Sequence, residues 1–307
     1  MNTRHAQIVL TIVRFGSITA AAKALYITQP TLSQTLKQIE TQLGEPIFVR
    51  GKSPMELTPA GELYVQAARH IVQIETQLDE AIAALHGRPE GTLHLGIPHS
   101  RSCELLPQIL PDFRSAYPDV RIELTDAPSP RLEQMLASHE LDLALLTDDV
   151  RRPDLTCRLV GSEEAVLLAG KKTALAQRIP SGSTITLAEA ASEAFVLPSP
   201  QLSIRQSIDT LLEQGGLHSV RPALLADSLE TAKRVCAACH MVMLSPYLSL
   251  LCDSAGMQKL SHYRLASGAY LHKLTLAHPA DTALTPYAEA FCILLSNRFR
   301  AMSAYRV

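Results

Sequence analysis

The outward face of a helix near residues 30–43 carries Gln29, Thr31, Ser33, Gln34, Lys37 and Gln38, with Pro30 in its first turn; Leu32, Leu36, Ile39 and Leu43 are expected to face inward. Amides, hydroxyls and an ammonium, with few carboxylates among them, pair readily with base edges and phosphate oxygens. Downstream, Arg50 and Lys52 sit at the tip of a segment that reads as a short hairpin, Pro46–Arg50, Gly51–Pro54 and Met55–Leu57, and would serve phosphates or a minor groove. Elsewhere, Cys236-Ala-Ala-Cys239-His240 spells a haem c attachment motif and offers a pair of thiols; the same cysteines also suit small apolar core positions. Haem attachment would require export, and Met1 to Leu10 holds no apolar run of signal-peptide length. No Gly-x-Ser-x-Gly elbow, phosphate-cradling Walker loop or His-Glu-x-x-His stands in the chain. The eleven histidines form no metal-ligand pair at helical spacing. The expectation is therefore a binding protein rather than an enzyme, with no catalytic residues, resident cofactor or metal.

The polar helix face needs a scaffold, and the flanking sequence supplies one. Ile8, Ile12, Val13 and Phe15 predict a first helix stopped by Gly16; Ser17 or Thr19 caps a second, Ala20 to Leu25, whose alanines allow close helix approach. Tyr26-Ile27-Thr28 makes the turn, and Thr28 caps the third helix, which Gly44 ends. This is a helix-turn-helix with a wing over residues 1–58. Thr58 and Pro59 then open a long helix, 59–88, in which Leu63, Ala67, Ile71, Ile74, Leu78, Ala81 and Leu85 form a coiled-coil stripe suited to dimerisation.

From residue 91 strands alternate with helices, which predicts parallel sheets with crossover helices. Strands are expected at 92–97, 120–125 and 141–146, with helices at 103–117, interrupted by Pro107 and Pro111, and at 131–138. A second lobe begins near Glu163 with strands 165–169, 194–197, 223–226 and 241–244 and helices 204–214 and 229–238. The chain returns near residue 268 with strand 271–277 and a final helix, 287–300. The body thus divides into lobe I, 91–162 and 268–307, and lobe II, 163–267, with a ligand cleft between them.

The 307 residues, 47% hydrophobic and 19% charged, suffice for two or three soluble domains. Net charge is only −2, yet residues 1–58 hold six cations against three carboxylates, a basic head on an acidic body. Six scattered cysteines fit a reducing compartment, and no apolar run reaches bilayer length, so a cytoplasmic location away from membranes is expected.

The stretch from Ser17 to Leu36 resembles the signature of LysR-type transcriptional regulators, through Ser17, Ala20, Ala21, Leu25, Gln29, Pro30, Leu32 and Ser33. Leu43-Gly44, Phe48-Val49-Arg50 and Leu57-Thr58-Pro59-Ala60-Gly61 continue the likeness, and weaker anchors (Leu105-Leu106-Pro107, Leu141-Asp142-Leu143-Ala144, Leu244-Ser245-Pro246) extend it through the body. Two departures stand out. Gln34 replaces a common arginine or lysine, and Cys239 and Met241 stand where glycines are usual. The resemblance implies an α+β multidomain chain: a winged helix-turn-helix, a coiled-coil linker helix and a two-lobed, periplasmic-binding-protein-like effector domain. It implies double-stranded DNA as partner, a homodimer or homotetramer, and RNA polymerase as a further partner if the protein activates. Its DNA-binding residues would be Gln29, Pro30, Thr31, Ser33, Gln34, Lys37, Arg50 and Lys52. Its small-molecule effector, an organic anion, would meet Ser100, Arg101, Ser102, Ser129 and Thr147 in one lobe and Ser199, Gln201 and Ser203 in the other. Arg101 would pair with a ligand carboxylate. A thiol-based redox regulator of the same family and a solute-binding protein are the alternatives.

Overall fold

The computed structural model describes residues 1–304 except 50, 53, 86–88, 148–151, 203, 219, 253–258 and 269. The head is built from α1 (Thr3–Phe15), α2 (Ile18–Ala24) and α3 (Gln29–Leu43). Each starts on a side-chain cap: Asn2 accepts from the His5 N–H, Ser17 from Ala20 and Thr28 from Thr31. Gly16 and Gly44 close α1 and α3 in the left-handed conformation, at φ 62° and 85°. Val9, Ile12, Ala21, Leu32, Ile39 and Ile47 make the core of the head. Leu43, expected inside, is 42% exposed, because the final turn of α3 runs past that core.

The wing pairs Phe48 with Leu57 in an antiparallel bridge, and Glu40 reaches across from α3 to accept the Ile47 N–H at 2.8 Å. Helix α4 (Pro59–Leu85) begins hard against it. A Cβ at Gly61 would lie 2.0 Å from the Ile47 carbonyl oxygen, so only glycine permits this approach. Tyr64, Val65 and Ala68 pack into the head, whereas Leu63, Ile74, Leu78 and Ile82 are 46–70% exposed. The Ala81 and Leu85 side chains lie outside those described.

The body runs β1 (Gly91–Gly96), α5 (His99–Ala116), β2 (Val120–Thr125), α6 (Ser129–Ala137), β3 (Leu143–Thr147) and β4 (Leu155–Gly170). It continues with α7 (Ala174–Arg178), β5 (Thr184–Ile185), a 3₁₀ turn (Leu187–Ala190), β6 (Val196–Pro198), α8 (Ile204–Gln214), β7 (Leu224–Ala226) and α9 (Leu229–Cys239). Then come β8 (Val242–Pro246), α10 (Leu248–Cys252), β9 (Leu260–Leu265), β10 (Tyr270–Pro279) and α11 (Pro286–Ala304). The main sheet has the order β2-β1-β3-β10-β4-β9-β5, with β8 also paired to β4. It is mixed rather than parallel: β1 pairs in parallel with β2 and β3, but β10 returns antiparallel between β3 and β4. The expected lobe boundary near Glu163 falls inside β4, a single 16-residue strand that pairs with β10 over its first part and with β8 and β9 over its last. Helix α5 is not interrupted. Pro107 and Pro111 sit on its exposed side, where water can hydrate the carbonyls that lose their amide partners. Its inner side meets α11, with Phe113 edge-on to Phe291 at 5.6 Å. The second lobe buries Val166, Leu167, Ile208, Leu212, Val242 and Tyr263 around the opposite end of β4.

Candidate nucleic-acid interface and ligand cleft

On α3 the sequence-predicted groups Gln29, Pro30, Thr31, Gln34 and Lys37 are exposed, and Ser33 is half-buried. All but Lys37, which lies just past the middle, occupy the N-terminal half of the second helix of the pair, the part that enters a major groove in helix-turn-helix proteins. The Thr28 and Thr31 hydroxyls lie 2.8 Å apart, and the Gln29 amide donates to Ser33 Oγ at 3.0 Å, so the face is ordered before anything binds. Tyr26, in the turn ahead of α3, is 97% exposed and held at φ 55°. Sequence reading gave it no role beyond the turn, since its exposure is visible only in the structure. On the wing, Lys52 pairs with Glu56 at 3.4 Å with both side chains half-exposed; water and salt screen that pair, leaving its ammonium available to a phosphate. Arg50 lies outside the described residues.

The cleft lies at the carboxyl ends of β1, β2 and β3, facing the ends of β6 and β7 across a cavity of about 240 Å³. Four helices begin on it: α5 with His99, α6 with Ser129, α8 with Ile204 and α9 with Leu229, which Ser228 caps. Each N-terminus presents unpaired amides and about half a positive charge, so their convergence favours an anion. Ser100, Ser129 and Thr147 line the cavity; Ser129 Oγ accepts the Thr147 N–H and lies 2.9 Å from its hydroxyl. His99 Nδ1 stands 2.5 Å from Asp126, and its Nε2 lies 3.8 Å from Cys103 Sγ. Among the described residues Asp227 is a second carboxylate of the wall, exposed at the rim. A roomier space of about 590 Å³ separates α1 and α4 from the body. It is a seam between packed units, with no set of converging helix starts.

Two family models cover nearly the whole chain: the bacterial regulatory helix-turn-helix of the lysR family over residues 3–62, and the LysR substrate binding domain over residues 86–300. The chain belongs to the LysR family of transcriptional regulators. The regulator is 28% identical over 283 residues to YybE, an uncharacterized HTH-type transcriptional regulator of Bacillus subtilis strain 168, spanning 92% of this chain and 93% of that one. It is 32% identical over 219 residues to a probable RuBisCO transcriptional regulator of Emiliania huxleyi, spanning 69% and 68% of the two chains. Among solved structures, a full-length OxyR variant from Pseudomonas aeruginosa superposes with a TM-score of 0.73 at 20% identity over 98% of both chains. CbnR, solved with its target DNA, does so with a TM-score of 0.66 at 19% identity over 97% of this chain and 99% of its own.

Within this LysR effector domain the sequence-predicted residues part company. Ser100, Ser129 and Thr147 meet in the cavity. Ser102 is turned away, its hydroxyl donating to the His99 carbonyl at 2.8 Å. Arg101 needs a correction: it borders the cavity, but its side chain is 1% exposed and pairs with the protein's own Glu104 and with Glu163 at 3.1 Å. A buried guanidinium must be neutralised locally, and α5 starts early enough to carry it inward. Ser199 and Gln201 precede α8 without lining the cavity, where Leu202 and Ile204 stand instead; Ser203 lies outside the described residues. His99, Asp126, Asp227 and Ser228 went unnoticed in the sequence, although the Asx and Ser positions ahead of helices were a usable signal. Cys236 is buried with its Sγ donating to the Met241 carbonyl at 2.9 Å, and burial pushes its thiol up to about 12, which disfavours a reactive thiolate. Cys239, at the end of α9, is exposed. Among the described residues no helix is long and apolar enough to cross a membrane.

Proposed function

We propose that this LysR regulator answers to a small organic anion held in the 240 Å³ cleft and reads a two-part operator as a homodimer or a tetramer built from such dimers. The observation that carries the ligand class is the convergence of four helix N-termini on one small cavity. His99 Nδ1 occupies one oxygen of Asp126 at 2.5 Å. Ser100, Ser129 and Thr147 supply hydroxyl donors, while Leu202, Ile204 and Leu229 suit an apolar portion of the ligand.

For DNA, Gln29, Thr31, Ser33 and Gln34 face base edges; Lys37, Arg50 and Lys52 face phosphates; and Tyr26 joins them from the turn. The exposed stripe Leu63, Ile74 and Leu78 on α4 supports pairing with a second copy. The protein works where the genomic DNA is, in the cytoplasm, and engages RNA polymerase where it activates. Effector acts by favouring one lobe arrangement, and it must bind that arrangement better than the other.

The test uses thermal unfolding of the full chain with small carboxylic acids and, in parallel, their primary amides. At least one acid should raise the melting temperature and change the footprint on DNA upstream of the protein's own gene, while its amide does neither. Ser129→Ala should blunt that response and leave DNA affinity intact. Amides that act as well as acids would sink the anion assignment.

A further inference from the structure

Three residues far apart in sequence meet where the linker helix touches the body: His70 on α4, His139 just after α6, and Asp281 just after β10. One ligand atom from each lies within 4.8 Å of the other two. His70 Nε2 stands 3.6 Å from Asp281 Oδ2, and His139 Nε2 stands 3.5 Å from the same oxygen. Tetrahedral coordination with bonds near 2.0–2.1 Å sets neighbouring ligand atoms about 3.3 Å apart, so these separations approach the edges of such a polyhedron.

The hydrogen bonds beside the trio orient the His139 ring. Asp142 Oδ1 can only accept, so Gln73 must turn its NH₂ group towards it, at 3.1 Å. The Gln73 carbonyl oxygen is thereby left for His139 Nδ1, at 2.6 Å, which makes Nδ1 the donor. In the neutral ring Nε2 then carries a lone pair aimed at a carboxylate oxygen. That nitrogen, the Asp281 carboxylate and His70 together make the donor set a divalent cation takes. The His139 side chain is 7% exposed and held at φ 54°, a left-handed conformation unfavourable for a non-glycine residue. A histidine whose far nitrogen is oriented by an amide oxygen, beside a second histidine and a carboxylate, is the arrangement of a metal-ligating imidazole.

We propose that His70, His139 and Asp281 bind one divalent cation of the zinc or cobalt class, leaving a fourth position to water. Imidazole nitrogens with a single carboxylate select such borderline ions over magnesium or calcium, which take oxygen ligands. The His70 and His139 rings stack at 4.3 Å with 6° between their planes, so one must turn to direct its lone pair at the ion. His70, 34% exposed and facing the groove beside Leu63 and Ala67, is the one with room to do so. Bound there, the ion ties the linker helix to the first lobe at two separate loops.

The full-length chain, free of added histidines and stripped with chelator, is titrated with Co²⁺ and then with Zn²⁺. The expected result is one Co²⁺ per chain, with visible bands of a tetrahedral nitrogen–oxygen site and no thiolate charge-transfer absorption, displaced by Zn²⁺. His70→Ala and Asp281→Asn, both at accessible side chains, should each weaken binding by about 100-fold or more with unchanged circular dichroism. Gln73→Leu should weaken it by roughly 10- to 100-fold. Binding unaltered in the His70 and Asp281 variants, a thiolate band, or no stoichiometric uptake would each overturn the assignment.

Discussion

Four charged side chains that solvent hardly reaches meet where α5, β4 and α9 converge: Arg101, Glu104, Glu163 and Lys233, none more than 5% exposed. Ser249 completes the group by donating to Glu104 Oε1 at 2.5 Å. Burial raises the Glu104 pKa, and Arg101 foremost, then Ser249 and Lys233, oppose that shift by favouring the ionised form. Deleting one partner strands the others, so Arg101→Ala should lose about 3–5 kcal/mol in urea denaturation. A loss under about 1 kcal/mol would mean that water reaches the cluster. The cysteines give a second prediction at this scale. Burial pushes the Cys236 and Cys292 thiols up to about 12, whereas Cys103, Cys157 and Cys239 are exposed. Iodoacetamide should label the exposed three in the native protein and spare the buried two until denaturant is added; peptide mapping reads the outcome. Arginine in a helix start ahead of a cleft looks the same in sequence whether it turns outward to a ligand or inward to Glu163, because the partner lies 62 positions away. Residues such as Thr28 and Ser17 were more legible, since a cap acts on an amide only two or three positions on.

Helix α4 shows how an element reveals its business by what it leaves uncovered. Its Tyr64, Val65 and Ala68 side chains are buried in the head, while Leu63, Ile74 and Leu78 remain 54–70% exposed. The double variant Ile74→Asp, Leu78→Asp should therefore shift the protein towards monomer in light scattering and lower operator affinity, with little change in its circular dichroism. An unchanged mass would move the interface elsewhere. The turn before α3 permits a sharper separation of folding from binding. Tyr26 is 97% exposed at φ 55°, so Tyr26→Gly removes strain and no packing; stability should move by less than about 1 kcal/mol while DNA affinity falls. Helices and caps were readable because their determinants are local. The pairing of β10 between β3 and β4 was not, because antiparallel return of a strand more than 100 residues later leaves no mark on periodicity. The short β5 and the strand β9 escaped for a related reason: two residues, or an alternating Leu260–Leu265 run of mixed polarity, do not rise above the loops around them.

For the molecule as a whole, the two lobes are joined through shared hydrogen-bonded strands rather than through a loose linker. Leu167, fully buried in the second lobe, lies on the same strand as Val160, which packs in the first. Leu167→Ala should cost about 3–5 kcal/mol. It should lower the unfolding midpoint reported by first-lobe and second-lobe amides alike in hydrogen exchange; midpoints that separate would show two independent units. The two-lobed plan with strands crossing between the lobes was legible from the order of strands and helices, whereas the run of β4 as one strand over residues 155–170 was not.

That continuity bears on how such a chain can change length over time. Side chains of a strand alternate faces with a period of two, so adding or deleting one residue turns every later side chain over. Most other strands of the body are short and end in loops, where such an event is absorbed. Within β4 there is no loop between the lobes: its pairing with β10 shifts register at Leu159/Gly161 and again opposite Glu163 and Glu164, yet the strand itself continues into Ala165–Gly170, buried throughout. A single inserted codon between residues 162 and 165 would put the second lobe out of phase with the first, so the crossing strand is where this protein least tolerates a frame-preserving insertion.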